Sequence, residues 1–245
     1  MRIDPRTTYC VLTGDIVGSS ELALGARRRL AARLKRVGAE LQRAHGAALP
    51  LPLEVFRGDA WQLFVARPGA ALRVALGVVA SLRQDAEAPL ATRIGLGLGS
   101  VRFVPGRAVS GGDGEAYAAA GSALDALGPH ARMQLAVAPR EAAAVGVAPA
   151  ALLRALVTTV DGLAQDWTPA RARAVQSALT GVTQAEAAAR WRPKRITQQA
   201  VAQHLAKARW SAVEAALAAF EVSLDALLPV QAPVLVKADN KRGRL

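Results

Sequence analysis

The chain has 245 residues, 52% hydrophobic content, a formal net charge of +12 and one cysteine. This length suits one large or two small domains, and we favour two. A single cysteine excludes an intramolecular disulfide and fits a reducing compartment. No signal-peptide pattern opens the chain, and the longest apolar stretches, such as residues 70–82, are too short to span a bilayer. We expect a cytoplasmic protein with no membrane contact, and the positive charge favours a polyanionic partner.

The first strong signal is a buried strand that ends in an aspartate. Residues 8–13 are apolar enough for such a strand, and the segment Gly14-Asp15-Ile16-Val17-Gly18-Ser19-Ser20 follows it. Ser19 or Ser20 can cap a helix over 20–44. A carboxylate at the end of a strand, beside the amides of a helix N-terminus, can hold a divalent ion and its phosphate. A lone aspartate at such a place is more commonly a turn residue.

A second aspartate lies at the tip of a predicted hairpin. Its arms are residues 54–57 and 61–65, and the turn at Gly58-Asp59 presents Asp59. Arg57, beside Asp59, is a further ligand candidate, although an arginine here more commonly forms a structural ion pair. Two aspartate motifs in this order predict a shared metal or nucleotide site more strongly than either does alone.

The alternation of strands and helices continues along the chain. We predict a helix over 69–86, a strand over 92–103, a helix over 115–127 and a strand over 133–137. The order β-α-β-β-α-β is ferredoxin-like, with an antiparallel or mixed sheet backed by helices on one side. The first domain, residues 1–138, is therefore predicted to be α+β.

Glycines mark two places in this domain. Gly95, Gly97 and Gly99 alternate along one strand, which lets a ligand or a partner backbone approach, and which a bulged or tightly packed strand explains equally well. The glycine-rich loop at residues 105–114, which contains Asp113, is either a border of the nucleotide site or an ordinary connector.

Capping signals divide the second half into helices. Residues 139–166 are alanine-rich and form a helical linker or a dimerisation segment. From residue 167 to 228, Thr168-Pro169 opens a first helix, the capping box beginning at Thr183 opens a second, Thr197 caps a third and Ser211 caps a fourth. The domain at 167–228 is thus predicted to be all-α, and a basic tail, 229–245, follows it.

The second and third of these helices resemble the helix-turn-helix of bacterial regulators, with a turn about three residues longer than the tight form. Glutamines on the third helix suit base edges, and the flanking cations suit phosphates. The candidate DNA contacts are Arg192, Lys194, Arg195, Thr197, Gln198, Gln199, Gln203 and Lys207, with His204 as a further option. The alternative is a helical bundle used for dimerisation, whose glutamines are only solvated. The tail either adds phosphate contacts or is disordered.

The first half of the chain resembles the class III nucleotide cyclases. Asp15 and Asp59 match the order and spacing of that family's metal-binding aspartates, and the resemblance covers roughly residues 5–130. The chain is also similar to SatD-type bacterial proteins, in which a G-D-I-V-x-S opening, a G-D-x-x-Q hairpin and a D-G-x-A-[FY] segment precede a helix-turn-helix. Here these segments are residues 14–19, 58–62 and 113–117.

This resemblance implies a ligand site and also a departure from catalysis. Val55 stands where cyclases keep a base-reading lysine, and Ala118 and Ser122 stand where they keep a transition-state asparagine and arginine. Losing one donor to a developing phosphoryl charge typically costs about 10²–10³-fold in rate. The implied ligand-binding residues are Asp15, Ile16, Gly18, Ser19, Ser20, Arg57, Asp59 and Asp113, with Asp15 and Asp59 as the metal ligands.

We therefore expect a transcriptional regulator. Its first domain binds a nucleotide with Mg²⁺, or a cyclic nucleotide or dinucleotide, and its second binds double-stranded DNA. Both parts of the resemblance favour a homodimer. The principal alternative is an active metal-dependent nucleotidyl cyclase or related phosphotransfer enzyme with an accessory DNA-binding domain. A third is an interaction protein whose first domain is only structural.

Overall fold

Strands from the first 137 residues pair into one sheet. The computed structural model describes residues 3–21, 24–56, 58–106 and 108–228. Within these residues the sheet has five strands in the order β2-β3-β1-β4-β5. The strands are β1 Thr8–Ile16, β2 Glu54–Phe56, β3 Ala60–Val65, β4 Thr92–Ser100 and β5 Met133–Val137.

The pairing confirms the ferredoxin-like prediction for the first half. β1 pairs antiparallel with β3 and with β4, and β2 pairs antiparallel with β3. The neighbours β2-β3-β1-β4 have the ferredoxin-like order. β5 then pairs parallel with β4, after a helical crossover, and extends the sheet at that edge.

Helices cover both faces of this sheet. They are α1 Leu24–His45, α2 Ala71–Arg83 and α3 Glu115–Asp125. Ile94, Leu96 and Leu98 of β4 belong to the same hydrophobic cluster as residues of α1 and α2, whereas the glycines between them face α3. Because successive side chains of a strand point to opposite faces, α3 lies on the other face. The expectation that the helices back one side only is wrong.

The three alternating glycines of β4 allow α3 to pack closely on the strand. A Cβ added at Gly95 would lie 2.1 Å from the carbonyl oxygen of Ala120, and one added at Gly97 would lie 2.2 Å from that of Ala116. A Cβ at Gly99 would lie 2.7 Å from the amide nitrogen of Ala116. Of the two explanations left open by the sequence, tight packing therefore holds.

The segment between β1 and α1 differs from the predicted helix start. Ser19–Glu21 forms one 3-10 turn, and α1 begins only at Leu24. Neither Ser19 nor Ser20 is therefore the N-cap of α1, because both lie in this turn and α1 begins several residues beyond them. The remaining bounds in this half agree with the prediction to within a few residues.

Residues 139–166 form two helices, α4 Pro139–Val145 and α5 Val147–Gln165. Among the described helices, α5 is long and apolar enough to cross a membrane by length and composition, which the sequence prediction of no such stretch missed. Its buried side chains include Leu153, Val157 and Val160, which pack in the hydrophobic cluster that contains β5. α5 thus packs one face on this cluster, while other apolar side chains of the helix, such as Leu152, are exposed.

Four helices follow, α6 Pro169–Leu179, α7 Gln184–Ala189, α8 Gln198–Lys207 and α9 Trp210–Leu227. The side chains of Thr168, Thr183 and Thr197 cap α6, α7 and α8 as predicted, and α7 has the full capping box. The cap predicted for the fourth helix is wrong, since α9 begins at Trp210, before Ser211, and follows Arg209 with a φ of 56°. The tail at 229–245 lies outside the described residues.

One hydrophobic cluster runs through both halves of the described chain. Leu72 and Leu76 of α2, Val175 of α6 and Leu217 of α9 all belong to it. Ion pairs add to this contact, because Arg67, which precedes α2, lies 3.3 Å from Glu221 of α9 and also pairs with Asp225. The helical region is therefore packed on the sheet region, while the domain boundaries proposed from sequence stay a prediction.

Candidate functional site

The first two motifs meet in a cleft at the end of β1. The cleft has a volume of about 420 Å³ and lies between the turn after β1, the tip of the β2–β3 hairpin and the turn before β5. The predicted residues that line it are Asp15, Ile16, Gly18, Ser19, Ser20 and Asp59. Arg57 lies outside the described residues. We call this place the strand-end cleft.

Packing behind Asp15 fixes the end of β1. Gly14 of β1 lies opposite Trp61 of β3, and a Cβ at Gly14 would lie 2.6 Å from the indole ring. The close approach of this ring to the β1 backbone therefore requires glycine. The Trp61 indole N–H donates to the Thr92 hydroxyl at 3.1 Å, and that hydroxyl donates to the Asp15 carbonyl oxygen at 2.6 Å. Trp61 is fully buried, and this chain of hydrogen bonds holds the Asp15 backbone in place.

A direct hydrogen bond joins the two aspartate motifs. The Ser19 hydroxyl, in the 3-10 turn after β1, donates to a carboxylate oxygen of Asp59 at the hairpin tip. Gly18, with a φ of 67°, makes the preceding turn in a conformation that favours glycine. Ser19, predicted as a helix cap, instead positions Asp59.

Arg93 binds the other aspartate and was not foreseen. It is the direct partner of Asp15 across β1 and β4. Its Nε donates to Asp15 Oδ1 at 2.9 Å, and its Nη2 donates to Oδ2. This hydrogen bond is the main reason why the pKa of Arg93 is raised above its ordinary value. The strand register would have revealed Arg93, since antiparallel pairing of β1 with β4 sets it opposite Asp15.

A second arginine, Arg132, lines the cleft just before β5. Its Nη1 donates to the carbonyl oxygen of Pro129 at 3.3 Å, and its backbone N–H donates to Asp161 of α5 at 2.7 Å. Asp161 is 4% exposed, and burial raises the pKa of its carboxyl, against the effect of its hydrogen bonds. The turn that carries Arg132 is thus attached to α5.

Mg²⁺ does not fit Asp15 as it is arranged. Carboxylate and hydroxyl oxygens are ligands that this ion accepts, and Asp15, Asp59 and Ser19 supply them. Both Asp15 oxygens, however, already accept hydrogen bonds from Arg93, and a guanidinium at this position repels a divalent cation. Within the described residues no group of three or more His, Cys, Asp or Glu could hold a metal ion. The two arginines suit a phosphate instead.

Asp113, the remaining ligand candidate, does not line the cleft. Its carboxylate pairs with Arg102 at 2.8 Å, and its backbone bridges Phe103 just beyond the other end of β4. That end lies roughly 20 Å along the strand from Arg93, at the usual rise per residue. Ala118 and Ser122, which the cyclase resemblance sets at the positions of catalytic groups, are exposed on α3. They too are absent from the lining of the cleft.

The candidate DNA contacts gather on and beside α8. Val201 and Leu205 are buried inward. The exposed side chains on the outer side of the helix, which we call the α8 face, are those of Gln198, Gln199, Gln203 and Lys207. Thr197 is also exposed, but its hydroxyl accepts from the Ala200 amide at 3.1 Å and caps α8.

The long turn between α7 and α8 is held by arginines. Arg173 of α6 donates to the carbonyl oxygen of Arg192 at 2.7 Å and lies 4.9 Å from the centre of the Trp191 ring. The Arg192 guanidinium itself donates to the Trp191 carbonyl oxygen at 2.9 Å, so it helps to close the turn. Lys194 and Arg195 are exposed in this turn. His204 stacks on Trp191 at 5.5 Å between ring centroids, and so is not on the α8 face.

Comparisons with known proteins give a fold similarity and no family. No family model and no curated protein matches the chain. The chain is similar to two structures of a bacterial light-regulated adenylyl cyclase, at 18% and 21% identity over 53% of its length, with TM-scores of 0.39 and 0.40. It is also similar to the guanylyl cyclase Cya2, at 18% identity over 55% of its length, with a TM-score of 0.42. It spans 42%, 75% and 77% of those three chains. Similarity this distant transfers no activity to this chain.

Proposed function

We propose that this protein is a DNA-binding regulator whose strand-end cleft binds a nucleotide-type ligand. The observation that carries the proposal is the construction of α8. Its inner residues Val201 and Leu205 are buried, while Gln198, Gln199 and Gln203 are exposed together on a helix that Thr197 caps. Glutamine presents an amide that can hydrogen-bond a base edge in the major groove. A helix with this face, supported by α6 and α7, has the form of a recognition helix.

Cations beside the α8 face suit the DNA backbone. Lys194 and Arg195 are exposed in the turn before α8, and Lys207 is exposed in its last turn. Such contacts supply affinity and set the register without reading sequence. Arg192 is a weaker candidate, because its guanidinium is engaged with carbonyl oxygens at the end of α7. We propose that two copies bind neighbouring half-sites as a homodimer.

The proposed ligand is a nucleotide or a cyclic nucleotide. Arg93 and Arg132 both line the strand-end cleft, and arginine suits phosphate through its fork of N–H donors. The volume of about 420 Å³ is in the range of small-molecule sites. The SatD-type resemblance agrees with this combination of a ligand-binding first half and a DNA-binding second half.

A continuous set of contacts connects the cleft with α8. The turn that carries Arg132 is bound to Asp161 of α5. After α5, the indole N–H of Trp167 donates to the carbonyl oxygen of Ala208, at the end of α8, at 3.1 Å. A ligand that moves the Arg132 turn can therefore shift α8 through α5. Any ligand that prefers one DNA-affinity state must in turn be bound with a different affinity by the protein on DNA.

Substitutions on the two kinds of DNA contact test the proposal. The probe is duplex DNA selected from a random pool by binding to the full chain, measured by fluorescence anisotropy against an unselected duplex. Gln199→Ala should lower the affinity for the selected DNA by about 1–3 kcal/mol and leave that for the unselected duplex unchanged. Arg195→Ala should weaken both about equally.

Arg154→Ala is the matched control, because Arg154 is an exposed arginine of α5, away from the α8 face. It should leave both affinities near those of the unmodified chain. If Gln199→Ala and Arg195→Ala behave like this control, the assignment of α8 as a recognition helix is wrong.

A further inference from the structure

Arg93 stands in the strand-end cleft where the cyclase resemblance expects a metal ion. The register of β1 and β4 makes it the cross-strand partner of Asp15. Its Nε and Nη2 donate to the two carboxylate oxygens, so the contact is bidentate. The Asp15 side chain is 23% exposed. The Arg93 side chain is 44% exposed. The pair thus lies at the surface of the cleft, and the register of the two strands sets its residues opposite each other.

The two aspartates are engaged with protein donors. Asp15 is neutralised by Arg93, and Asp59 accepts the Ser19 hydroxyl. A divalent cation between them would compete with the guanidinium for Asp15 and would be repelled by its charge. The charge that a metal ion would bring to this cleft is already supplied by the protein.

Arg93 keeps donors for a ligand while it holds Asp15. A guanidinium carries more N–H groups than the Asp15 carboxylate accepts here, so the remaining ones can contact a phosphate. Arg132 also keeps donors for a ligand, since its described hydrogen bonds to carbonyl oxygens use only Nη1. Both side chains line the same cleft. A phosphate bound there would contact two pre-positioned cations.

We infer that the cleft binds the phosphate of its ligand through Arg93 and Arg132 without a divalent cation, and that Asp15 is the positioning residue for Arg93. The inference rests on the proposed nucleotide site in this cleft. It replaces the metal-ligand role that the cyclase resemblance implies for Asp15 with a structural one.

The two roles of Asp15 predict opposite effects of one substitution. If Asp15 positions Arg93 and no metal takes part, Arg93→Gln removes the main phosphate contact and weakens binding. If Asp15 is a metal ligand, Arg93→Gln removes a competitor of the metal and strengthens Mg²⁺-dependent binding. Arg102→Gln is the matched control, because Arg102 forms an exposed ion pair with Asp113 just beyond β4, outside the cleft.

The experiment is isothermal titration calorimetry on the full chain with ATP, GTP, cyclic AMP and cyclic di-GMP, each in excess EDTA and in excess Mg²⁺. The cyclic compounds are the most informative probes, because they bind Mg²⁺ weakly by themselves. We expect at least one probe to bind equally well in EDTA and in Mg²⁺. Arg93→Gln should weaken that binding about tenfold or more, Asp15→Asn should weaken it less, and Arg102→Gln should not change it.

The other outcomes separate this inference from the proposed function. Binding that requires Mg²⁺ and that Arg93→Gln preserves or strengthens would overturn the inference and leave the nucleotide site standing. Binding of none of the probes in either buffer would overturn both. Circular dichroism and thermal unfolding of Arg93→Gln establish that a loss of binding is not a loss of fold.

Discussion

The strand-end cleft and the α8 face are built in opposite ways. In the cleft, polar side chains bind one another, as Arg93 binds Asp15 and Ser19 binds Asp59. On the α8 face, the glutamine side chains make no hydrogen bond to any other described residue and extend into solvent. A preorganised cluster suits a small ligand of fixed shape, whereas free amides can adapt to the edges of DNA bases. Substitutions should therefore affect the two places differently.

The largest expected effect concerns chemistry in the cleft. If the cyclase resemblance holds, Ala118 and Ser122 stand where cyclases keep catalytic donors, and both lie exposed on α3. Incubation of the full chain with ATP or GTP and Mn²⁺ should therefore give no cyclic product above a protein-free blank. Each missing donor typically costs about 10²–10³-fold. Mass spectrometry of the products tests this. Robust turnover that Asp59→Asn abolishes would favour the enzyme alternative.

The binding of duplex DNA by the α8 face should depend strongly on the salt concentration. Raising the salt concentration from about 50 to 200 mM should weaken duplex binding by roughly 10²-fold or more in a dimer, because counterions are released from several phosphates. Lys194→Ala should reduce the slope of log affinity against log salt by about one for each phosphate that Lys194 neutralises. A slope near zero would favour the helical bundle that serves only for dimerisation.

Substitutions of Asp161 test whether ligand binding in the cleft depends on the contact between α5 and the Arg132 turn. Asp161→Ala removes the buried acceptor of the Arg132 amide and should lower the free energy of unfolding by about 1–3 kcal/mol. It should also weaken nucleotide binding, since it frees the turn that carries Arg132. Asp161→Asn keeps one acceptor oxygen for the Arg132 amide and should cause a smaller loss of both. Chemical denaturation and calorimetry measure the two effects, and equal behaviour of the two variants would contradict this role.

The titration of the Asp161 carboxyl gives a further check on its buried position next to the Arg132 turn. Burial raises the pKa of its carboxyl above the ordinary value of 3.8, so the folded state favours the protonated form. This contribution to stability is fully present below pH 3.8 and is lost as the pH rises through the folded-state pKa. Relative to Asp161→Asn, the unmodified chain should therefore lose stability with rising pH across this window. Urea denaturation of both chains at a series of pH values measures the difference.

The smallest expected effects are those of single side chains on the free energy of unfolding, in the strand-end cleft and on the α8 face. Asp59→Ala removes the acceptor of the Ser19 hydroxyl and should lower the free energy of unfolding by about 0.5–1.5 kcal/mol. Gln203→Ala, on the α8 face, should leave it unchanged within about 0.5 kcal/mol. Urea denaturation of both variants measures the difference. A loss of stability in Gln203→Ala would mean that the α8 face is engaged with the rest of the protein.

Local signals in the sequence predicted the elements well. The strand that ends at Asp15 and the hairpin tip at Asp59 were both found, because turns and buried strands leave strong local patterns. The threonine caps of α6, α7 and α8 were found for the same reason, since a capping residue contacts only its own first turn.

Contacts between distant segments were missed. Arg93 has no local motif, and its role follows only from the pairing of β1 with β4. The face on which α3 packs could not be read from Gly95 and its neighbours, since the same glycines fit two explanations. The sequence allows either Ser19 or Ser20 as a helix cap, because it does not distinguish a 3-10 turn from a helix start. Asp113 belongs to the D-G-x-A-[FY] segment that the sequence assigned to the same site, but it lies beyond the opposite end of β4.

The packing of the helical region at two places limits how it can move. α6 lies against α2 in one hydrophobic cluster, and α9 is bound by its acidic side chains to Arg67, just before α2. While both contacts stay in place, a swing of the whole helical region about one hinge is disfavoured. We expect a change that reaches α8 to be a shear, in which packed helices slide past one another by small distances. In the proposed dimer, such sliding would tilt the two copies of α8 without separating them. The spacing of half-sites that the dimer prefers would then change with the ligand.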